Sequence, residues 1–362
     1  MLRSRVFPVN ATSGGCMTTR TISVMIFGKA ALQRREEAIR AYFREFPICL
    51  VMLAMAALSA PAGAAETLRV GKAVPFAWTF TPVDVGVEIG QFAKQGLTVE
   101  PSAFGGDAKL QQALTADGID IGIGSGPGMA FMAKGAPVKA VAAMAGIPRN
   151  MAVMVSYNSS IKSVDDLKGK RIGVTTVGSL TDWIGKRIGV LKGWGPRGID
   201  IVAIGGMEPA RAAMKTNQID GYISSLESGY ALEEAKEWRV ITTATPFVDH
   251  FITHVIFARE EVIEKRPQAV RAFLQAWFDT IAFMKANKAK TVDITAKVLN
   301  LSPAVIGRAY DEEVGIFSDD GVFDAKAVAA LKQSFIEMGL LKEIPDDKIM
   351  FTSQFVPVKA GM

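Results

Sequence analysis

The chain has 362 residues, 49% of them hydrophobic, and a formal net charge of +5. This length and apolar content suffice for two ordinary domains with buried cores, which excludes a disordered or fibrous protein. Residues 1–65 contain eight basic and three acidic residues and so carry the whole net charge, while the remainder balances 33 basic against 33 acidic residues. A neutral remainder gives no compositional argument for nucleic acid or an anionic membrane surface as a partner.

The charged first segment reads as an export signal. Two arginines precede an apolar run at 46–60, which has the length of a signal-peptide core and is too short to span a bilayer comfortably. Small residues of the kind that signal peptidase requires follow this run. We therefore predict that residues 1–65 are removed by cleavage after Ala64 or Ala65.

Both cysteines of the chain, Cys16 and Cys49, lie in this predicted leader. The exported part can therefore form no disulfide, no thiolate metal site and no catalytic thiolate. Export without disulfides fits the bacterial periplasm, which is the predicted location.

From Leu68 onward, short apolar runs alternate with amphipathic helical patterns, which predicts an α/β protein with mostly parallel sheets. The predicted strands are 68–70, 97–100, 119–123, 138–143, 171–174, 199–204, 221–223 and 240–242. The predicted helices are 83–94, 107–115, 128–134, 179–191, 208–216 and 228–237. From Pro267 to about Met338, helical patterns follow one another with no intervening strand.

Two further extended apolar segments, 151–157 and 253–259, bracket a block with the size of an ordinary domain. We interpret them as strands by which the chain crosses into a second, inserted unit and returns, so that together they form a hinge. The predicted first lobe comprises 66–153 and 255–362, and the predicted second lobe comprises 154–254.

The stretch 119–130, IDIGIGSGPGMA, places four glycines around Ser125 after a predicted strand. Its register fits neither the dinucleotide fingerprint G-x-G-x-x-G nor a P-loop, and the glycines do not flank Ser125 as in a nucleophile elbow. Free N–H groups at the start of the following helix can bind a carboxylate, sulfonate, phosphate or other acceptor. The alternative is a tight turn whose glycines only permit positive φ.

Three more loops, at 105–107, 175–181 and 205–208, repeat this design between a strand-like segment and a helix. Ligands of open α/β sheets bind at the carboxyl ends of the strands. We therefore expect the four loops, two from each lobe, to converge on one cleft rather than to be four independent turns.

For most of the other candidate side chains, both a functional and a structural role fit the sequence. Phe76 and Trp78 follow the first strand at alternating positions and form either a cleft wall or the edge of the core. Glu227 meets a cationic group or caps the nearby helix. His250 and His254 are spaced by four residues, but the surrounding apolar residues favour a strand and no third ligand is evident, so no metal site is predicted. We expect His250 to be a pocket or hinge residue.

Several blocks of the sequence resemble a known family in their order and spacing. They are LRVGKAVPF, VEIGQFAKQGLTVE, FGGDAKLQQALTADGIDIGIGSGPGMAFMAKGAPVKAVA, IKSVDDLKGKRIGVTTVGSLTD, and ALEEA after QIDGYISSLES. The chain resembles periplasmic solute-binding proteins of ABC importers, in the branch associated with nitrate, sulfonates, taurine and thiamine precursors. The resemblance implies a two-lobed type II periplasmic binding fold that closes about its hinge on a small ligand.

Carried over block by block, the resemblance implies a ligand pocket, to which we add His250. The implied residues are Phe76, Trp78, Gly106, Asp107, Ser125, Gly126, Thr176, Gly178, Ser179, Ser225 and Glu227. The chain departs from the family at Glu227, where many members have a Trp-Glu-Pro-like element and this chain reads Ser-Leu-Glu-Ser. These loops contain no Lys or Arg, so an anionic ligand would rely on helix N-termini and hydroxyls.

The resemblance also implies a monomer with no cofactor and no catalytic residues, which passes its ligand to an ABC permease in the inner membrane. One alternative is a sensory receptor that docks on a membrane kinase. Another is a pyrimidine synthase of thiamine biosynthesis, an enzyme of the same fold family whose activity depends on a cysteine-rich motif and iron. The lack of cysteine after residue 65 and the export signal weigh against that enzyme.

Overall fold

The computed structural model describes residues 65–361. The predicted export signal and both cysteines lie outside these residues. Within 65–361, no helix combines the length and the apolar character that crossing a membrane requires.

Every predicted strand is present, including both crossing segments. The ten strands are β1 (Glu66–Lys72), β2 (Leu97–Ala103), β3 (Ile121–Ser125), β4 (Val138–Ala145), β5 (Met151–Ser156), β6 (Arg171–Val174), β7 (Asp200–Ala203), β8 (Gly221–Ser225), β9 (Trp238–Thr243) and β10 (His254–Arg259).

Helices separate most of the strands and then follow one another at the C-terminal end. They are α1 (Pro82–Glu88), α2 (Gln91–Lys94), α3 (Asp107–Thr115), α4 (Ala130–Ala133), α5 (Leu180–Leu191), α6 (Met207–Lys215), α7 (Leu226–Glu234), α8 (Glu260–Lys265), α9 (Pro267–Ala286), α10 (Lys288–Leu299), α11 (Pro303–Glu313), α12 (Ala325–Glu337) and α13 (Asp347–Met350). The prediction of one helix over 83–94 is wrong, because Gly90 has a φ of 74° and separates α1 from α2. Short 3-10 helices lie at Trp78–Phe80, Gly126–Met129, Val164–Leu167, Thr245–Phe247 and Val314–Ile316.

The strands form two sheets of five. Sheet 1 has the order β2-β1-β3-β10-β4, and sheet 2 has the order β7-β6-β8-β5-β9. In each sheet four strands run in one direction, and only the crossing strand, β10 or β5, runs antiparallel to its two neighbours. The predicted α/β class with two parallel-rich sheets is therefore confirmed.

The same ion pair fixes the strand pairing in both sheets. Asp120, just before β3, accepts hydrogen bonds from the backbone N of Arg69 at 3.0 Å and from its Nε at 3.2 Å. Asp220, just before β8, accepts the same two bonds from Arg171 at 2.9 Å and 3.1 Å. Each carboxylate thus holds the amino-terminal end of one parallel strand against its neighbour, and the carboxyl ends of the strands form the opposite edge.

The chain crosses between the sheets at 146–150 and at 244–253, and these two crossings lie side by side. The strands that follow them each pair within one sheet, β5 in sheet 2 and β10 in sheet 1. The backbone N of Thr253 donates to the carbonyl of Ala145 at 2.9 Å, and the backbone N of Ala244 donates to that of Met151 at 2.9 Å. Strand β5 pairs with sheet 2 along its whole length. The helices of the C-terminal end then pack on helices from both halves of the fold, α9 on α1 and α2, and α11 on α7.

Candidate ligand-binding cleft

A cavity of about 40 Å³ lies between the carboxyl ends of the two sheets. Sheet 1 and the segments that follow its strands contribute one wall, and sheet 2 with the start of α5 contributes the other. The lining residues are Ala73, Val74, Phe76, Ala77, Phe80, Gly106, Asp107, Ser125 and His254 on the first side, and Asn150, Met151, Thr175, Ser179, Leu180, Thr181, Ser224 and Ser225 on the second. The lining contains no Lys or Arg.

On the sheet 1 side, Asp107 and Ser125 form a closed pair of hydrogen bonds. Asp107 is the first residue of α3, and Ser125 ends β3. Asp107 Oδ1 accepts the backbone N–H of Ser125 at 2.7 Å, and Oδ2 accepts the Ser125 hydroxyl at 2.9 Å. Burial raises the pKa of Asp107 above its ordinary value, against the lowering effect of these two bonds. Ser125 thus serves as a donor to Asp107 and fixes the start of α3 to the end of β3.

On the sheet 2 side, three hydroxyls cluster at the start of α5. Thr175 Oγ1 lies 3.1 Å from Ser179 Oγ and 3.0 Å from Thr181 Oγ1, and the last two oxygens are 2.9 Å apart. Ser179 is the N-cap of this 12-residue helix and accepts from the backbone N of Asp182. Hydroxyls next to a helix N-terminus form a surface that favours an oxygen acceptor or an anion.

Three residues that line the cavity each have a buried side-chain atom without a hydrogen-bond partner. The atoms are Asn150 Oδ1 in the first crossing, Ser224 Oγ in β8 and His254 Nδ1 at the start of β10. A buried polar atom without a partner costs about 1–3 kcal/mol, so such atoms are rare in proteins. The three residues come from both sides of one cavity, and a molecule bound there could complete these hydrogen bonds.

His254 is a neutral ring in this site. Burial lowers its pKa to about 3. Phe80 packs edge-on against the imidazole, with the two ring centres 4.8 Å apart. The ring therefore offers hydrogen bonds and apolar contact without a charge.

The residues that the sequence points to separate into two groups. Six of them line the cavity: Phe76, Gly106, Asp107, Ser125, Ser179 and Ser225. The other six lie outside its lining: Trp78, Gly126, Thr176, Gly178, Glu227 and His250. That any of them contacts a ligand stays a prediction.

The glycines of the stretch 119–130 permit close packing. A Cβ at Gly124 would lie 2.8 Å from Leu110 Cδ2, and one at Gly126 would overlap the carbonyl oxygen of Ile252. The backbone N of Gly126 donates to the carbonyl of Thr253 at 2.9 Å. Gly126 is thus fixed against the second crossing, so its N–H is not available to a ligand.

Thr176 and Gly178 hold the loop before α5. Thr176 Oγ1 accepts from the backbone N of Ala108, on the other side of the cleft, at 3.5 Å. Gly178 has a φ of 81°, and its N–H donates to Asp182 Oδ2 at 2.8 Å. Thr176 therefore joins the two walls, and Gly178 shapes the turn into the helix.

Trp78 and Glu227 contact each other below the cavity. The backbone N of Trp78 donates to Glu227 Oε1 at 2.7 Å, and both residues are fully buried. The indole of Trp78 packs against Tyr310 and Phe317, with ring centres 6.1 Å and 5.4 Å apart. Glu227 meets a backbone N–H here, and no cationic side chain.

His250 and the loop at 205–208 lie mainly on surfaces outside the cavity. His250 is exposed and lies in a separate groove beside Trp183 and Arg187. The loop at 205–208 lines a second groove, which shares only Phe76 with the cavity. Three of the four predicted loops thus line the cavity. The fourth does not, and the end of β8 contributes Ser224 and Ser225 to the lining instead.

Sequence reasoning missed Asn150, Ser224 and His254 as cavity residues, whereas Thr175 and Thr181 belong to a loop it singled out. His254 pairs with Ser125 in the register of β10 and β3. The predicted strand at 253–259 could therefore have indicated that His254 lies near Ser125. Asn150 lies between two strands and has no local pattern that marks it. Within residues 65–361, no group of three or more His, Cys, Asp or Glu is arranged to hold a metal ion.

Comparisons with known proteins agree with this architecture. The sequence profile described as NMT1/THI5 like matches residues 78–291, more than half of the chain. An inferred binding protein of Brucella abortus (strain 2308) is 26% identical over 303 residues, which cover 81% of this chain and 92% of the relative.

Two solved structures show that this fold serves different activities. The alkanesulfonate-binding protein SsuA from Xanthomonas axonopodis pv. citri, bound to MOPS, superposes with a TM-score of 0.68 at 19% identity and covers 78% of this chain and 96% of its own. The desulfurisation enzyme DszB superposes with a TM-score of 0.56 at 17% identity, covering 80% and 97%. The fold alone therefore does not decide between binding and catalysis.

Proposed function

The chain belongs to the NMT1/THI5-like family, and we propose that it is an extracytoplasmic solute-binding protein of an ABC importer. In this proposal one small molecule is captured between two lobes, one built on sheet 1 and the other on sheet 2, and is delivered to a membrane permease. The protein acts in the periplasm after its export signal is removed.

The observation that carries the proposal is the set of unpartnered polar atoms around the cavity. Asn150 Oδ1, Ser224 Oγ and His254 Nδ1 are buried, and their residues line the cavity from both sides. A molecule that bonds to all three contacts both walls at once, so its binding favours the closed cleft over an open one. The hinge of this motion is the pair of crossings at 146–150 and 244–253.

The cavity lining offers both hydroxyl donors and an amide acceptor, which bears on the ligand. The hydroxyl cluster of Thr175, Ser179 and Thr181 at the start of α5 favours an oxygen acceptor such as a sulfonate, carboxylate or carbonyl. Asn150 Oδ1 can only accept, so it calls for an N–H or O–H donor. We therefore propose a small organic solute with an acceptor at one end and a donor at the other.

Catalysis is the weaker candidate. Ser125 Oγ donates to Asp107 Oδ2, and His254 Nδ1 has no partner, so these side chains do not form the nucleophile, base and acid relay of a hydrolase. Residues 65–361 contain no cysteine, since both cysteines of the chain precede them.

The proposal is tested by a thermal-shift screen of the natively purified protein against sulfonates, carboxylates, nitrate, pyrimidines and aromatic acids. A true ligand at a hundredfold excess over its Kd adds about 2.7 kcal/mol to the free energy of unfolding. Small-angle scattering of the saturated protein then reports closure. A panel without any hit, together with denatured protein that releases no small molecule, would contradict the proposal.

A further inference from the structure

Two carboxyl groups are buried in the region where α7 packs against α11. Glu227 is the second residue of α7, and Glu313 is the last residue of α11. Both side chains are 0% exposed. Neither oxygen of Glu313 and only one oxygen of Glu227 has a hydrogen-bond donor, which is the backbone N–H of Trp78.

This arrangement cannot hold two ionised groups. Ionised carboxylates only accept hydrogen bonds, so two of them buried near each other repel and leave their oxygens unpartnered. A single proton between them turns one into a donor and satisfies the other. Burial raises the pKa of Glu227 to about 7, and burial together with the neighbouring Glu227 raises the pKa of Glu313 well above its ordinary value.

The positively charged groups on the adjoining helices pair with other carboxylates and do not neutralise Glu227 or Glu313. On α11, Arg308 forms ion pairs with Glu233 of α7 and with Glu312. On α10, Lys288 pairs with Asp311 of α11 at 2.5 Å. The other titratable neighbours are Tyr230, whose ring lies under Arg308, and Tyr310, whose hydroxyl donates to the carbonyl of Met284. Glu312 adds a further negative charge near Glu313.

The pair is connected to the cavity through Trp78. Trp78 lies between β1 and α1, in the segment that contributes Phe76, Ala77 and Phe80 to the cavity wall. Glu227 directly follows the end of β8, where Ser224 and Ser225 line the opposite wall. The bond from Trp78 N to Glu227 Oε1 therefore joins the two walls of the cleft.

We propose that Glu227 and Glu313 share one proton and act as positioning residues, which fix the Trp78 segment against α7 and hold the cleft closed. Opening the cleft breaks the Trp78 bond and admits water to both carboxyls, which then release the proton. Closure thus takes up a proton, and a rise in pH favours the open form. This coupling to closure rests on the proposed solute-binding function, whereas the sharing of the proton does not.

The pH window follows from the direction of the shifts. A group whose pKa is raised in the closed protein contributes its full stabilisation below its ordinary value and loses it as pH rises through the raised value. For Glu227 these limits are 4.5 and about 7. Each proton retained by the closed form lowers its equilibrium constant about tenfold per pH unit across this window.

The experiment compares the wild type with Glu313→Gln, in which an amide can donate to Glu227, and with Glu234→Gln, at the exposed last residue of α7, as the matched control. Infrared difference spectra at pH 7 report a protonated carboxyl, and scattering across the window reports compactness. We expect a protonated carboxyl band in the wild type and in Glu234→Gln that is lost in Glu313→Gln, and expansion with rising pH only where the band is present.

Two outcomes overturn the proposal at different points. If the wild type has no protonated carboxyl band and Glu313→Gln shows the same pH profile of stability, proton sharing is wrong, and solute binding is unaffected. If the band is present but scattering is the same for all three proteins at every pH, the coupling to closure is wrong. Should Glu313→Gln not fold, Glu227→Gln provides the same comparison from the other side of the pair.

Discussion

Gly106 and Thr176 touch across the cleft, one from each wall. A Cβ at Gly106 would lie 2.5 Å from Thr176 Cγ2, and the φ of Gly106 is 124°. This position therefore accepts only glycine for two independent reasons, the close approach and the backbone conformation. In the proposed hinge motion this contact would be lost on opening, so it is a suitable point for testing closure.

We predict that Gly106→Ala opens the cleft. The positive φ alone costs a non-glycine residue about 1–2 kcal/mol, and moving Thr176 away relieves the clash. Small-angle scattering should show a less compact protein, and ligand affinity should fall about tenfold. Gly105→Ala is the control, because a Cβ there meets only the end of the Lys109 side chain at 3.4 Å. Equal compactness of the two variants would contradict the prediction.

The pair Asp107 and Ser125 is predicted to contribute to folding stability. Asp107→Ala leaves the buried N–H and hydroxyl of Ser125 without an acceptor and should lower the free energy of unfolding by about 2–3 kcal/mol. Ser125→Ala keeps the backbone bond to Asp107 and should cost about 1 kcal/mol. Chemical denaturation of both variants measures the difference, and an equal cost for the two would argue against the pair.

Much of this architecture follows from the sequence because the signals are local. Alternating apolar runs and helical patterns predict all ten strands and the order of the elements. The site is harder to predict from the sequence, because its key contacts join residues that are distant in the chain. Trp78 and Glu227 are 149 positions apart, and no local pattern indicates that Glu313 is buried beside Glu227.

The glycine stretch illustrates the same limit. Its strand and its loop are evident from the sequence, but Gly126 packs on Ile252 of the second crossing, which is remote in the chain. Glycine that permits close packing and glycine that exposes N–H groups to a ligand have the same sequence pattern. The two roles of glycine can be distinguished only from the positions of the residues that surround it in the fold.

His254 is predicted to destabilise the protein in acid. Its pKa is lowered from 6.5 to about 3 in the fold, so the unfolded chain binds the proton first. The stabilisation is complete above 6.5 and is lost as pH falls toward 3, at about tenfold in the unfolding constant per pH unit.

The variant His254→Asn should remove this part of the acid sensitivity, measured as the pH profile of thermal unfolding. His250→Asn, at the exposed histidine, should leave the profile unchanged. Identical profiles for both variants would show that His254 is not the titrating group. The effect has the opposite sign to that of Glu227 and Glu313, so the variants separate the two contributions.

The hydroxyl cluster is predicted to bind the acceptor end of the ligand. Ser179→Ala and Thr181→Val should weaken the best-binding compound of the panel while leaving the fold intact. A lost hydrogen bond to a neutral acceptor is worth about 1 kcal/mol, and one to an anion about 1.5–3 kcal/mol. Titration calorimetry thus distinguishes a carbonyl from a sulfonate by the size of the loss. Unchanged affinity in both variants would show that the ligand does not contact the hydroxyl cluster at the start of α5.

A second connection between the walls is predicted at Glu337, the last residue of α12. Glu337 Oε2 accepts from the indole Nε1 of Trp183 at 2.9 Å, and Oε1 pairs with Arg187 at 2.8 Å, both on α5. Because α12 also packs against 126–129 at the end of β3, these bonds tie α5 to the sheet 1 side. Glu337→Ala should lower the free energy of unfolding by about 2 kcal/mol and leave the protein less compact in scattering. The exposed Glu343→Ala is the control, and equal compactness of the two variants would show that this connection does not hold the cleft closed.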